Sequence, residues 1–225
     1  NIVTVGTHSF SIEVFRDDLR DWGKNNRREF PWRKTHDAFQ ILIAEMMLRR
    51  TRATQVANVF VDFIGRYPNP ETLAVADSDL VTKALYPLGL AWRVPAFQEV
   101  ARYLIDKYQG SVPAEYDQLI ELPGVGDYVA SAICCFAFNK CVPIIDTNTV
   151  RIAGRLVNIP TNAESRRRKP VRELVVRLVD CRDSREYNYN LLDLAAKVCL
   201  PAEPVCHQCP LLLLCATGQI RTANH

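Results

Sequence analysis

The sequence predicts an all-α fold, and three observations support this prediction. Ten segments repeat apolar residues with the period of a helix, and proline or glycine separates many of them. No segment alternates polar and apolar residues for long enough to build a sheet. The chain also lacks an internal repeat and a low-complexity tract, which excludes solenoid and fibrous architectures.

The predicted helices cover residues 9–25, 38–52, 54–67, 79–88, 94–108, 114–122, 128–139, 147–157, 171–179 and 189–198. Between the predicted helices 147–157 and 171–179 lies the polar and basic stretch 161–170, which we expect to be a flexible loop.

Composition limits the class of protein. The chain has 225 residues, enough for one large domain or two small ones, and 48% of them are hydrophobic. No apolar run approaches the length of a membrane span and no signal-peptide pattern starts the chain, so we expect a soluble cytoplasmic protein. In a reducing compartment, Cys134, Cys135, Cys141 and Cys181 are expected to pack as small hydrophobes rather than form disulfides.

A glycine-rich turn is the most informative local feature. Residues 122–126 read Leu-Pro-Gly-Val-Gly between two apolar helical segments. Glycine on both sides of Val125 lets the chain turn tightly, and the N–H groups that begin the next helix can then bind a DNA phosphate. Leu122, Gly124, Val125 and Gly126 are therefore predicted to contact DNA. Non-enzymatic DNA-binding proteins use the same turn, so this motif alone does not predict catalysis.

Asp146 follows the apolar segment 142–145. Such a segment places a carboxylate where desolvation and neighbouring groups can adjust its pKa for catalysis. An aspartate in this position is also a common helix N-cap. Both interpretations stay open at the level of the residue pattern.

Four cysteines near the end of the chain have the spacing of metal ligands. Cys199, Cys206, Cys209 and Cys215 read Cys-x6-Cys-x2-Cys-x5-Cys. Zinc sites with four cysteines usually contain two Cys-x2-Cys pairs, and this segment contains one. The uneven intervals favour a [4Fe–4S] cluster, with zinc as the alternative.

The net charge of +3 is modest, so the case for nucleic acid depends on where basic residues cluster. Arg49 and Arg50 end the apolar stretch 39–48, which predicts a core helix with a basic tip in a functional groove. The pair Arg27-Arg28 and the run 166–169 are explained at least as well by solvated surface.

Together these motifs resemble the helix-hairpin-helix DNA glycosylases of the endonuclease III and MutY group. The resemblance runs from about Phe30 to Cys215 and includes, in the family's order, residues 30–33 (Phe-Pro-Trp-Arg), 45–51 (Glu-Met-Met-Leu-Arg-Arg-Thr), 88–90 (Leu-Gly-Leu), 122–126, 146–151 (Asp-Thr-Asn-Thr-Val-Arg) and the four cysteines. Within the group, the chain is most similar to the Mig mismatch glycosylases, which remove thymine or uracil opposite guanine.

The resemblance implies a fold and a partner. It implies a six-helix barrel with the hairpin over residues 30–146, and a helical [4Fe–4S] domain built from residues 1–29 and 147–225. The expected partner is double-stranded DNA containing a mismatch, bound by a monomer with no membrane association. The target nucleotide would be rotated out of the duplex into a pocket, because its glycosidic carbon is unreachable inside the stack.

The resemblance also assigns roles. Asp146 matches the catalytic aspartate, and Asn148 is expected to orient it. Bifunctional members carry a lysine after the residue that matches Asp127, where this chain has Tyr128, so strand cleavage through a Schiff base is not expected. Glu45 matches a base-pocket glutamate, with a structural salt bridge as the alternative.

Arg50 and Leu90 match positions whose side chains fill the gap left by the flipped base or contact the base that is left unpaired on the opposite strand. The sequence continues for only ten residues after Cys215, so we do not expect the extra domain by which MutY recognises oxidised guanine. The first hypothesis is therefore a monofunctional thymine/uracil glycosylase. A MutY-like adenine glycosylase and a non-catalytic iron–sulfur DNA-binding protein remain as alternatives.

Overall fold

The computed structural model describes residues 1–162, 164–165 and 169–223. The chain divides into two compact units. The terminal unit comprises residues 1–28 and 140–225, and the central unit comprises residues 29–139. The boundaries expected from the resemblance differ mainly in residues 140–146, which they place with the barrel and which the contacts group with the terminal unit.

The elements in chain order are β1 (Ile2–Val5), β2 (His8–Ser11), α1 (Ile12–Asn26), α2 (Ala38–Leu48), α3 (Ala53–Arg66), α4 (Pro70–Ala74), α5 (Ser78–Leu85), α6 (Val94–Tyr108), α7 (Tyr116–Ile120), α8 (Asp127–Phe136), α9 (Thr147–Leu156), α10 (Lys169–Leu178), α11 (Ser184–Lys197) and α12 (Ala216–Ala223). Short 3₁₀ turns lie between several of these helices. The helical prediction is confirmed for all ten predicted segments.

One sheet corrects the expectation of a chain without strands. β1 and β2 pair antiparallel, with Ile2 opposite Ser11. Each strand is four residues long, too short to show alternation in the sequence. The helix predicted from residue 9 therefore begins at Ile12, where the Ser11 hydroxyl accepts a hydrogen bond from the Val14 N–H at 3.4 Å.

Other boundaries differ for local reasons. α2 ends at Leu48 rather than residue 52, because Arg49 is extended with ψ 107° and Arg50 then adopts a left-handed conformation with φ 63°. The sequence did not predict α4 and α12, which are five and eight residues long. Helices this short show barely two turns of periodicity.

Each unit has its own apolar core. In the terminal unit, α1, α9, α10 and α11 bury residues that include Phe15, Leu19 and Leu194. In the central unit, α2 is buried along nearly its whole length and packs against α3 and α8. A helix buried on all sides explains why residues 39–48 are almost entirely apolar.

Four cysteines were expected to pack as small hydrophobes without forming disulfides, and this is correct for two of them. Cys134 and Cys135 are buried in α8, as expected of small hydrophobes. Cys141 and Cys181, however, form a disulfide with their Cα atoms 4.9 Å apart. This pairing could not be predicted, because the two cysteines are 40 residues apart and spacing alone does not show which cysteines come together.

Among the described residues, no helix is both long enough and apolar enough to cross a membrane. The expected flexible loop falls partly outside the description: Ala163 and the basic residues Arg166, Arg167 and Arg168 do not lie within the described ranges.

Candidate functional site

The first candidate group is Asp146, in the terminal unit. Asp146 is the N-cap of α9, and its Oδ1 accepts hydrogen bonds from the N–H groups of Asn148 and Thr149, each at 2.8 Å. Thr149 completes a capping box by accepting the Asp146 N–H at 3.0 Å. The N-cap interpretation is therefore confirmed, and the carboxylate is also only partly buried, so the cap does not enclose it.

A chain of hydrogen bonds continues from this carboxylate. The Asn148 side-chain amide donates to Asp146 Oδ2 at 2.7 Å, which agrees with the expected orienting role. Arg151 donates to Asn148 Oδ1 at 3.1 Å and to the carbonyl oxygen of Cys199 at 2.9 Å. Arg151 lies one helical turn after Asn148, and the sequence analysis assigned it no role.

The four cysteines named from the sequence line one pocket of the terminal unit, together with Arg155, Pro204, Leu212 and Gly218. Two N–H groups point at their sulfur atoms. Arg155 donates to Cys199 Sγ at 3.3 Å, and the Gly218 N–H donates to Cys215 Sγ at 3.4 Å. Hydrogen bonds to cysteine sulfur are characteristic of iron–sulfur sites, where they adjust the reduction potential.

Burial makes two of these thiols, Cys209 and Cys215, hard to ionise on their own. It raises the pKa of Cys209 to about 12 and that of Cys215 to about 11, and the neighbouring thiols add to both shifts. A positively charged centre reverses this effect by stabilising the thiolates. The four thiols and the N–H groups beside them have the chemistry of a thiolate-ligated cluster. Among the described residues, however, no group of three or more His, Cys, Asp or Glu side chains is arranged to hold a metal ion.

The second candidate group is the glycine turn of the central unit. Gly124 has φ 77°, which a residue with a Cβ rarely adopts, and Gly126 is the N-cap of α8 with no side-chain cap. Leu122 and Val125 are buried and anchor the turn. Gly126 therefore supplies no side-chain cap to the start of α8, which suits an anion-binding helix start.

The start of α8 carries two further side chains of interest. Asp127 Oδ1 accepts a hydrogen bond from the Tyr116 hydroxyl at 2.9 Å, so this carboxylate joins α7 to α8. Tyr128 follows it in the first turn and is half-buried. Glu45, on α2 in the same unit, is 3% exposed.

Three loops of the central unit are joined by arginine side chains. Arg49 donates to the carbonyl oxygen of Gly124 at 2.8 Å, and Arg93 donates to the carbonyl oxygen of Arg49 at 2.9 Å. Arg50 is exposed beside them. Leu90 is only 4% exposed and forms part of the interior, whereas Trp92 is 72% exposed. Trp92 and Arg93 were not predicted as functional residues, although only Ala91 separates them from the Leu88-Gly89-Leu90 motif.

Comparison with known proteins agrees with these features. Residues 43–177 match the model of the HhH-GPD superfamily base excision DNA repair proteins. The chain is 36% identical to a thymine-DNA glycosylase of Aeropyrum pernix, over 91% of this chain and 94% of that protein. It is 33% identical to a thymine/uracil-DNA glycosylase of Methanothermobacter thermautotrophicus, over 91% of this chain and 93% of the other.

A solved structure of a thermostable thymine-DNA glycosylase superposes with a TM-score of 0.83 and 32% identity, and covers 93% of this chain and 97% of that one. The predicted fold class and the resemblance are thus confirmed. The chain belongs to the HhH-GPD superfamily of base excision DNA repair proteins.

Proposed function

We propose that the protein is a monofunctional DNA glycosylase that hydrolyses thymine or uracil from G:T and G:U mismatches and leaves an abasic site. The observation that carries the proposal is the Asp146 carboxylate, fixed by Asn148 through one oxygen and by the start of α9 through the other. Such a carboxylate stabilises the oxocarbenium-like charge that develops at C1′ and activates water for attack.

The side-chain contacts explain how Asp146 stays in position. Arg151 holds Asn148, whose amide then faces the carboxylate rather than solvent. Preorganised groups of this kind contribute to catalysis because they do not have to reorient as charge develops.

The absence of strand cleavage is proposed from Tyr128. A phenol cannot form the Schiff base by which lysine-containing members cut DNA. We assign Tyr128 and Glu45 to the pocket for the flipped pyrimidine, where a half-buried ring and a buried carboxyl group can contact the base. The names of the two relatives described above, which refer to thymine and uracil, favour this substrate over adenine.

We further propose that Cys199, Cys206, Cys209 and Cys215 hold a [4Fe–4S] cluster. Their four sulfur atoms share one pocket, and Arg155 and Gly218 supply hydrogen-bond donors to it. The cluster would brace the segment after α11 and take no part in bond cleavage. Brown protein with iron in place of stoichiometric zinc supports this assignment, and colourless active protein with one zinc contradicts it.

The substrate is tested on duplexes that carry G:T, G:U, A:G and A opposite 8-oxoguanine. We expect release of thymine and uracil, with strand breaks only after alkali. Faster release of adenine would select the MutY-like alternative, and release of no base would select the non-catalytic one. Borohydride should trap no protein–DNA adduct, whereas Tyr128→Lys should create one; an adduct with the unmodified protein contradicts the monofunctional assignment.

A further inference from the structure

An exposed disulfide lies close in the chain to the proposed catalytic carboxylate. Cys141 and Cys181 are both exposed, and the disulfide between them joins the terminal unit across 40 residues of sequence. Residues 142–145 lead from Cys141 to Asp146 without forming a helix or a strand. The disulfide is therefore accessible to thiols in solution, and a short segment connects it to Asp146.

The segment of residues 142–145 is also attached to α11 by a buried side chain. Asn188 is 1% exposed, accepts a hydrogen bond from the Ile144 N–H at 3.2 Å and donates to the Val142 carbonyl oxygen at 3.2 Å. Backbone groups outside helices and strands depend on such partners when they are buried. Asn188 therefore holds the middle of the segment, whereas the disulfide holds its start.

The second cysteine of the disulfide lies in a turn that is fixed by charged groups. Cys181 stands between Asp180 and Arg182, and Arg182 donates to Asp180 Oδ1 from its N–H at 3.1 Å and from its side chain at 2.9 Å. Arg20 on α1 binds the other oxygen of the same carboxylate. Because this turn is held on both sides of Cys181, the disulfide ties Cys141 to a fixed point.

We propose that the Cys141–Cys181 disulfide positions Asp146 through residues 142–145, so that reduction of the disulfide slows base release. In this step the S–S bond breaks and two thiols form, while a dithiol reductant gives up two electrons and two protons and becomes a disulfide itself. Asn188 still holds the segment after reduction, so activity falls without being abolished. The inference rests on the proposed function, because it requires Asp146 to act at the sugar.

The test is single-turnover release of uracil from a G:U duplex, with and without dithiothreitol, well below the midpoint of thermal unfolding. Alkylation followed by mass measurement shows whether the cysteine pair is oxidised. Reduction should slow release by about 10-fold, less than the ~10²-fold that a displacement of about 1 Å can cost. Affinity for a duplex with a non-hydrolysable abasic analogue should stay the same, because Asp146 acts on the reacting sugar.

The matched control is the double variant Cys141→Ser/Cys181→Ser. It should release uracil at the slow rate with and without dithiothreitol, and its iron content should equal that of the unmodified protein. Oxidised glutathione should restore the fast rate to the reduced unmodified protein, and should have no effect on the double variant.

Three results overturn the inference: a cysteine pair that is already reduced in the purified protein, an unchanged rate once the pair is reduced, or a double variant that dithiothreitol slows equally. A lower midpoint of thermal unfolding with an unchanged rate identifies a purely structural disulfide. Failure of the proposed function is seen separately, because the oxidised unmodified protein then releases neither thymine nor uracil.

The route through residues 142–145 is tested by removing their second attachment. Reduction should slow Asn188→Ala more than it slows the unmodified protein, because nothing then holds the middle of the segment. Ser184→Ala is a milder variant that should fold even if the first does not, since it removes only a 3.4 Å hydrogen bond to the Val142 carbonyl oxygen. An equal fold-loss on reduction in all these backgrounds overturns the route.

Discussion

The two units hold their candidate functional groups by different means. In the terminal unit, side chains bind one another in addition to backbone groups: Asn148 contacts Asp146, Arg151 contacts both Asn148 and the Cys199 carbonyl oxygen, and Arg155 contacts the Cys199 sulfur. In the central unit, side chains bind loop backbone, as Arg49 does at Gly124 and Arg93 at Arg49. The first arrangement fixes individual atoms, which chemistry requires. The second fixes the path of loops, which is what a surface that follows DNA requires.

The comparison predicts that a change at Asp146 affects chemistry, that a change at the cysteines of the pocket affects stability and DNA affinity, and that a change at the central surface affects DNA affinity alone. The following predictions run from the largest expected effect to the smallest.

Asp146→Asn should reduce the rate of base release by about 10²–10³-fold, the usual cost of losing one preorganised electrostatic contact. Asparagine can still cap α9, so the fold and DNA binding should persist. The measurement is single-turnover release from a G:U duplex. The matched control is Asp183→Asn, at the N-cap of α11 in the same unit, which should keep the rate. Near-normal release by Asp146→Asn contradicts its catalytic role.

Cys206→Ser should remove bound iron and lower the midpoint of thermal unfolding by about 5 °C, since roughly 2 kcal/mol has an effect of this size in a chain of this length. DNA affinity should fall before the chemical step does. Cys134→Ala is the control, because Cys134 lies in α8 of the central unit and should not affect iron content. Full iron content in Cys206→Ser contradicts the ligand assignment.

Asp180 gives the terminal unit a pH-dependent ion pair. Burial alone would raise the pKa of Asp180, but hydrogen bonds from Arg182 and Arg20 outweigh it and hold the pKa at about 2. Because this value lies below that of the unfolded chain, the stabilisation is present above about pH 4 and is lost as the pH falls toward 2.

Asp180→Asn should therefore lower the free energy of unfolding by about 1–2 kcal/mol at pH 7 and by less at pH 2 to 3, as measured by urea denaturation. The control Asp21→Asn removes an exposed carboxylate, which contacts Lys24, and should change stability little. An equal loss of unfolding free energy at pH 7 and at pH 2 to 3 contradicts the link between stability and the protonation of Asp180.

Arg50→Ala should weaken mismatch binding by about 1 kcal/mol, roughly fivefold, with little effect on stability, because the side chain is exposed. Arg66→Ala removes an equal charge at the end of α3 and serves as the control. The measurement is affinity at several salt concentrations. If the two variants lose the same amount of affinity, Arg50 acts through general electrostatic attraction to DNA rather than through a contact at the mismatch.

Much of this protein could be predicted from the sequence. The helices were recognised because their apolar residues recur with a helical period, and residues 94–108 were predicted with the observed bounds of α6. Asp146 and the four cysteines were named from the residue pattern, because chemistry restricts which residue types can occupy such positions, and Asn148 was named from the family resemblance; their roles stay predictions. The glycine turn was recognised because Gly124 needs a conformation that few other residues adopt.

Contacts between residues distant in the chain were decided by the tertiary structure. The Cys141–Cys181 disulfide, the link from Arg151 to Cys199, and the burial of Leu90 beside an exposed Trp92 have no local signature. Local patterns report what a residue does within its own helix or turn, because backbone geometry repeats over a few residues. Which loops meet, and which side chain of a loop remains exposed, depends on packing of the whole unit, and the sequence alone did not determine it.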